Sequence, residues 1–282
     1  MLDDNVATKI LKAVSEKPRS IDEIAKLIGR NWRTADRYLQ KIAVKEGSIA
    51  IRTFREGTRG ALKVAYWNPL DQAHSSVFQE KLLKQIEVGR TKYDFSPLDI
   101  YQYADAKKRK AFVEERKEHT DVVVQRLVDV VSKANKQLLI FSGNLSWANL
   151  KTKSSQEFLD VLERLARKKV SIKILADIDF ASTSNLNKVL EVNHKLGKEV
   201  FEVRHAKQPL RAYIIDNTIA RFKETRDTEG RKDGLKKKIF IFYEIYDREW
   251  VEWLQKVFWN FFRTGVSADK RIKDIKSIVK LG

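Results

Sequence analysis

Between Arg30 and Lys41 the chain reads RNWRTADRYLQK. Asn31, Arg33, Thr34, Arg37 and Lys41 fall at helical spacings that place them on one face of a single helix. That face presents amide, guanidinium, hydroxyl and ammonium donors together. These groups match the edges of bases and the oxygens of phosphates: Asn31, Arg33, Thr34 and Arg37 are the candidates for base-edge contact, with Arg able to read guanine through two hydrogen bonds. The chemistry on offer is recognition of a polyanion rather than making or breaking bonds. On the opposite face Trp32, Ala35, Tyr38, Leu39 and Ile42 are expected to point inward.

Other elements must hold such a helix in place. Upstream, SIDEIAKLIG carries Ile21, Ile24, Ala25, Leu27 and Ile28 at amphipathic spacing, and Gly29 is expected to end that helix at positive φ. Asn31 is the expected N-cap of the next helix. NVATKILKAVSE forms a first helix with Val6, Ile10, Leu11 and Val14 buried. Downstream, SIAIRTFREGTRGALKVAYWNP alternates as two strands around a basic, glycine-flanked tip. Arg55, Arg59 and Lys63 of this hairpin are expected to touch phosphate or enter the minor groove. Helix, turn, helix and hairpin in this order form a winged helix-turn-helix, assigned to residues 1–70. The same periodicities suit a small helical bundle with a surface hairpin, or a winged helix used to dock a protein.

The formal net charge is +18, and both 1–70 and 121–282 are net basic. A field of that sign attracts nucleic acid first and an acidic membrane surface second. There is no cysteine, so disulfides, thiolate catalysis and Cys-based zinc sites are excluded. The four histidines, His74, His119, His194 and His205, are scattered. No metal and no cofactor is expected. MLDDNVATKI does not read as a signal peptide, and no stretch approaches the roughly 18 apolar residues of a membrane span. The expectation is a cytoplasmic, nucleoid-associated protein without a membrane partner.

Residues 71–120 read as a helical linker. Its helix SSVFQEKLLKQIEVGR places Val77, Phe78, Leu82, Leu83 and Ile86 on one side, a candidate dimerisation surface. KKRKAFVEERKEH reads as a solvated helix with i, i+4 ion pairs or as a contact to phosphate. From Asp121 helices and strands alternate, implying an α/β sandwich with a parallel or mixed sheet over 121–265. ETRDTEGRKDGLKKK reads as a mobile loop. The aromatic helix EWVEWLQKVFWNFFRTG carries Trp250, Trp253, Leu254, Val257, Phe258, Phe261 and Phe262 around most of its circumference. It must be covered on two sides, by its own chain or by a second copy. Residues 266–282 read as a basic C-terminal tail.

LLIFSGNLSW, EVRHAKQPLRAYIIDNTIARF and the aromatic helix together resemble the phospholipase D-like domain of archaeal TrmB-type transcription regulators. A winged helix in front matches the domain order of that family. The resemblance implies a fold whose active members carry H-x-K-x4-D, with a histidine nucleophile and a phosphate-binding lysine. Here Asp216 fits the aspartate, but Pro209 stands at the histidine position and Arg211 at the lysine position. His205-Ala206-Lys207 is followed by Ala212 where an aspartate is required. The expectation is a retained fold without catalysis. Arg204, His205, Lys207 and Arg211 remain as a possible anion pocket near Asn144, or Arg211 pairs with Asp216 and the rest is surface. The family's sugar-binding domain has no counterpart expected here, and an effector is left open.

The resulting expectation is a homodimer that binds double-stranded DNA as a TrmB-like regulator. The alternatives are an architectural chromatin protein without sequence specificity, a phosphodiesterase or nuclease using a shifted site at His205, and a protein-docking module.

Overall fold

The computed structural model describes residues 3–16, 19–55, 61–67, 77–115, 121–152, 157–227 and 238–280. The chain divides into two compact units, Met1–Ser75 and Ser76–Gly282.

The first unit runs α1 (Asp4–Glu16), β1 (Arg19–Ser20), α2 (Ile21–Ile28), α3 (Trp32–Glu46), β2 (Ile49–Arg55) and β3 (Ala61–Trp67). Each helix end has a local cause. Ser20 and Glu23 form a reciprocal capping box that starts α2. Gly29, at φ 63°, ends it as expected. The N–H groups of Gly29 and Arg30 return to Lys26 O and Ala25 O, closing a Schellman turn. Asn31 caps α3 by accepting from the Thr34 N–H at 2.9 Å, also as expected. β2 and β3 pair antiparallel from Ile49↔Trp67 to Arg55↔Ala61, and β1 adds on the other side of β3. Ile10, Val14, Ile24, Ala35, Leu39, Ile42 and Ala65 form the core beneath.

The second unit is an α/β sandwich around an eight-stranded mixed sheet. Its elements are α4 (Val77–Val88), α5 (Leu98–Tyr101), β4 (Arg109–Glu115), α6 (Asp121–Val131), β5 (Gln137–Phe141), α7 (Phe158–Arg167), β6 (Ser171–Ala176) and α8 (Thr183–Leu196). Then follow β7 (Phe201–His205), β8 (Ala212–Ile215), β9 (Ile219–Asp227), β10 (Lys238–Ile245), α9 (Arg248–Thr264), β11 (Val266–Ser267) and α10 (Ala268–Lys280). The strand order is β11-β7-β6-β5-β8-β9-β10-β4, with β5, β6 and β7 parallel and the remaining pairs antiparallel. Strand alternation divides the core. Leu138 and Ile140 of β5 face α6, α7, α8 and α10, whereas Leu139 and Phe141 face α4, α5 and α9.

Three sequence expectations are corrected here. Residues 71–120 are not a linker over their described part. Leu82, Ile86, Phe95 and Ile100 are buried in the same cluster as Trp250, Leu254 and Phe258. The described part of KKRKAFVEERKEH is not the expected helix: Arg109–Glu115 is an edge strand paired with β10, and Phe112 stacks on Phe242 across the ladder; residues 116–119 lie outside the described ones. Residues 266–282 are not a tail. Val266 and Ser267 pair with His205 and Arg204, and Ala268 and Ile275 of α10 are buried. The loop read in ETRDTEGRKDGLKKK begins later than expected, since β9 reaches Asp227; residues 228–237 lie outside the described ones.

The aromatic helix is covered within its own chain. α4 and α5 lie over the side of α9 that the sheet leaves open, and Asn260 of α9 donates to Glu87 of α4 at 2.8 Å. Tyr103 stacks between Phe78 and Trp250. Both helices offered by the sequence as dimer surfaces thus bury much of their apolar area internally, although Val77 and Phe78 at the start of α4 remain exposed.

Candidate nucleic-acid interface

Arg33, Arg37 and Lys41 stand at i, i+4 and i+8 on α3 and are all exposed. At 1.5 Å per residue they form a stripe about 12 Å long. Arg30 stands exposed in the turn before it. None of these four cations forms an ion pair among the described residues. Like charges at i, i+4 cost a helix a few tenths of a kcal/mol, so an unneutralised stripe weakens α3 slightly and favours an anionic ligand. Thr34 is half-buried at the base of the stripe.

Two sequence-predicted groups sit differently from the expectation, and two lie outside what is described. Asn31 is exposed, but its side-chain oxygen is engaged by Thr34 N–H in the cap. A bidentate contact to adenine needs both the oxygen and the amide N–H, so capping competes with reading. Lys63 is not a free hairpin cation. Its Nζ lies 2.8 Å from Asp36 Oδ2, which also accepts from Gln40. The pair ties β3 to α3 and fixes the hairpin's position relative to the helix. Arg55 ends β2 with its side chain outside the described set, and Arg59 lies outside the described residues.

Trp32 corrects a further expectation. It is 49% exposed rather than buried. Being the first residue of α3, it projects past the contact of α2 with α3 and lines an open groove with Lys26, Gly29, Arg30 and Asn31. The indole is thereby placed among the cations of the turn. The sequence signal was its first-turn position, which the inward spacing with Ala35 and Leu39 obscured.

In the second unit, the residues aligned with the H-x-K-x4-D motif are divided: Arg211 lies over Gly143 beyond the C-terminal end of β5, whereas Asp216 lies at its start. Gln208 is fully buried; its Nε2 donates to Ser142 O at 2.9 Å and its Oε1 accepts from Leu210 N–H. Pro209 packs on Gly89 just after α4, where a Cβ on that glycine would lie 2.7 Å from Pro209 Cγ. Arg211 fills the space over Gly143, whose hypothetical Cβ would approach the guanidinium within 2.7 Å. It donates to Leu210 O and Gln208 O. Burial pulls the Arg211 pKa down, and nearby Asp177 offsets part of that.

Arg211 and Asp216 form no ion pair. The Asp216 carboxylate instead accepts the backbone N–H groups of Asn135, Lys136 and Gln137 at 2.8–2.9 Å, and the residue itself sits at φ 48°. It clamps the start of β5 to the β8–β9 turn. Nor do the four anion-pocket residues act together. Arg204 pairs with Glu202, donates to Phe262 O and lies over the Phe262 ring. His205 Nδ1 accepts the Ile178 N–H at 2.9 Å, which leaves the proton of the neutral ring on Nε2. Burial and then the Arg271 charge push its pKa below the usual histidine value. Lys207 is exposed. Strand alternation separates Arg204 from His205, which is why residues adjacent in sequence do not share a pocket.

No group of acidic or histidine side chains suited to a metal ion occurs among the described residues, and no described helix is long and apolar enough to cross a membrane.

No protein-family model matches the chain, and no curated protein matches it. Among solved structures it is similar to TrmBL2, an archaeal chromatin protein whose structure shows a novel mode of DNA binding. The two share 14% identity and a TM-score of 0.39 over 93% of this chain and 94% of that one. It is also similar to Nuc, a phospholipase D family member from Salmonella typhimurium. There the identity is 12% and the TM-score 0.37, over 57% of this chain and 98% of that one. NucT from Helicobacter pylori gives 12% and 0.38 over 57% and 99%. At these identities and scores the functional reading rests on the chain's own geometry.

Proposed function

We propose that this protein binds duplex DNA through a winged helix-turn-helix formed by α1–α3 and the β2–β3 hairpin, and that its second unit is not catalytic. The observation that carries the reading is the exposed stripe of Arg33, Arg37 and Lys41, preceded by Arg30, which forms no ion pair among the described residues. It lies on a helix whose start is fixed by a Schellman turn and an asparagine cap. The N-terminal half of a recognition helix is the part that reaches base edges in the major groove.

The donor set favours charge-dominated binding over strict sequence reading. With the Asn31 oxygen engaged and Thr34 half-buried, Arg33 and Arg37 are the free base-reading groups, while Arg30 and Lys41 suit phosphate. An architectural, chromatin-like role is therefore preferred to that of a site-specific regulator. A dimer is not required, because α4 and α9 cover each other within one chain.

The non-catalytic reading of the second unit rests on two contacts. Pro209, without a nucleophile, is packed on Gly89. His205 holds its Nδ1 against a backbone N–H and carries no carboxylate hydrogen bond that would activate Nε2.

The test is equilibrium binding of the full chain to random duplexes and to the DNA upstream of its own gene, over a salt series. The expected result is a steep salt slope, about 0.9 per phosphate neutralised, with less than about tenfold preference between duplexes. Absence of binding at moderate salt overturns the proposal. A preference of a thousandfold or more that persists at physiological salt replaces the architectural reading with the regulator.

A further inference from the structure

The parallel strands β5, β6 and β7 all start at one edge of the second unit's sheet. Gln137 pairs with Ser171, and Ile172 with Phe201, so the loops leading into these strands lie side by side. Ser171 N–H donates to Lys136 O at 2.8 Å, joining two of those loops directly. Five lysines converge there from three separate stretches of chain: Lys133 and Lys136 after α6, Lys168 and Lys169 after α7, and Lys198 after α8. All five are exposed and none forms an ion pair among the described residues. Lys169 holds a left-handed backbone at φ 67°, a conformation unusual for a residue with a side chain.

The acids nearest this edge do not pair with these lysines: the Asp216 carboxylate accepts three backbone N–H groups, and Glu202 pairs with Lys173 and Arg204. The opposite ends of the same strands are mixed, with Asp177 and Asp179 beside Lys207 and Arg211. The lysine excess is thus concentrated at one edge rather than following from net charge alone. α6, α7 and α8 end at this edge, and their negative ends help hold cations there. Three strands at about 4.8 Å spacing set the loops across about 10 Å. A duplex carries one charge per ~1.7 Å of axis, so such an edge faces several phosphates at once.

We propose that this lysine edge is a second phosphate-binding surface for duplex DNA, separate from α3. The proposal rests on the reading that the chain binds DNA. Its contacts carry no base information, so they add affinity and salt dependence equally for every sequence.

The experiment uses the full chain with Lys133, Lys136, Lys168 and Lys198 changed to Gln and Lys169→Asn, the last because Asn tolerates the left-handed backbone. Each phosphate contact contributes about 0.9 to the slope of log affinity against log salt; three contacts at a time give a fall of roughly 2.7. Affinity at low salt is expected to drop at least tenfold on all duplexes alike. A second variant with Arg at all five positions is expected to keep the wild-type slope. An unchanged slope in the Gln/Asn variant, with wild type still binding, overturns the lysine edge and leaves the α3 reading intact. Failure of wild type to bind any duplex overturns the function reading itself. Loss of binding to phosphatidylserine vesicles, with the DNA slope unchanged, overturns the proposal in favour of a membrane surface.

Discussion

Replacing Arg33 and Arg37 together by alanine is expected to reduce duplex affinity at moderate salt by at least about 30-fold, without loss of stability. Each arginine placed on a base contributes about 1–3 kcal/mol, so the pair accounts for about 2–6 kcal/mol, and removing a phosphate contact has an effect of similar sign. Stability moves the other way. Both residues are exposed and form no ion pair among the described residues, alanine is the better helix former, and an i, i+4 repulsion disappears, which offsets the loss of the exposed Arg37 contact over the Tyr38 ring at 5.7 Å. The thermal midpoint should hold or rise slightly while binding collapses. That opposition separates a ligand-facing stripe from ordinary solvated charge. Affinity within twofold of wild type, measured by fluorescence anisotropy, contradicts the assignment.

The second large effect concerns folding. Asp216→Ala removes the acceptor of three backbone N–H bonds at the start of β5 and leaves alanine at positive φ. Hydrogen bonds to a charged group contribute about 1.5–3 kcal/mol each when buried. Asp216 is only partly buried, so water replaces some of them; the expected net loss is about 2–4 kcal/mol. For a unit of this size that lowers the melting temperature by roughly 5–15 °C. Asp216→Asn keeps a short polar side chain that tolerates the left-handed region and should lose about 1 kcal/mol. Urea unfolding of Asp216→Ala within 0.5 kcal/mol of wild type contradicts the clamp. Asp216 thus anchors the start of β5.

Local chemistry in the first unit was legible in the residues themselves. Gly29 and Asn31 were read correctly because a left-handed C-cap and a side-chain N-cap depend on residues within three or four positions. The stripe of Arg33, Arg37 and Lys41 followed from helical spacing alone. What the sequence hid was nonlocal. Lys63 meets Asp36 across 27 positions, and Arg204 meets the end of α9 across 58. Neither partner leaves a signal at the cation. Residues 109–115 looked helical because they lie in a highly charged run with Lys110 and Glu114 at i, i+4; pairing with β10 and the Phe112–Phe242 stack overrode that preference. The aromatic helix showed that it needs covering on two sides. The identity of the cover, α4 and α5, depends on how the chain returns to it. In the C-terminal segment Ile272 and Ile275 already stood at helical spacing, but Lys270, Arg271, Lys273 and Lys276 around them suggested a solvated tail.

Amide hydrogen exchange of the full chain, free and bound to a random duplex, tests the central claim most directly. The account predicts new protection over residues 29–41 and in the β2–β3 hairpin, where the turn, the start of α3 and the hairpin meet DNA. Protection that leaves 29–41 unchanged while duplex is bound would place the interface elsewhere and contradict it.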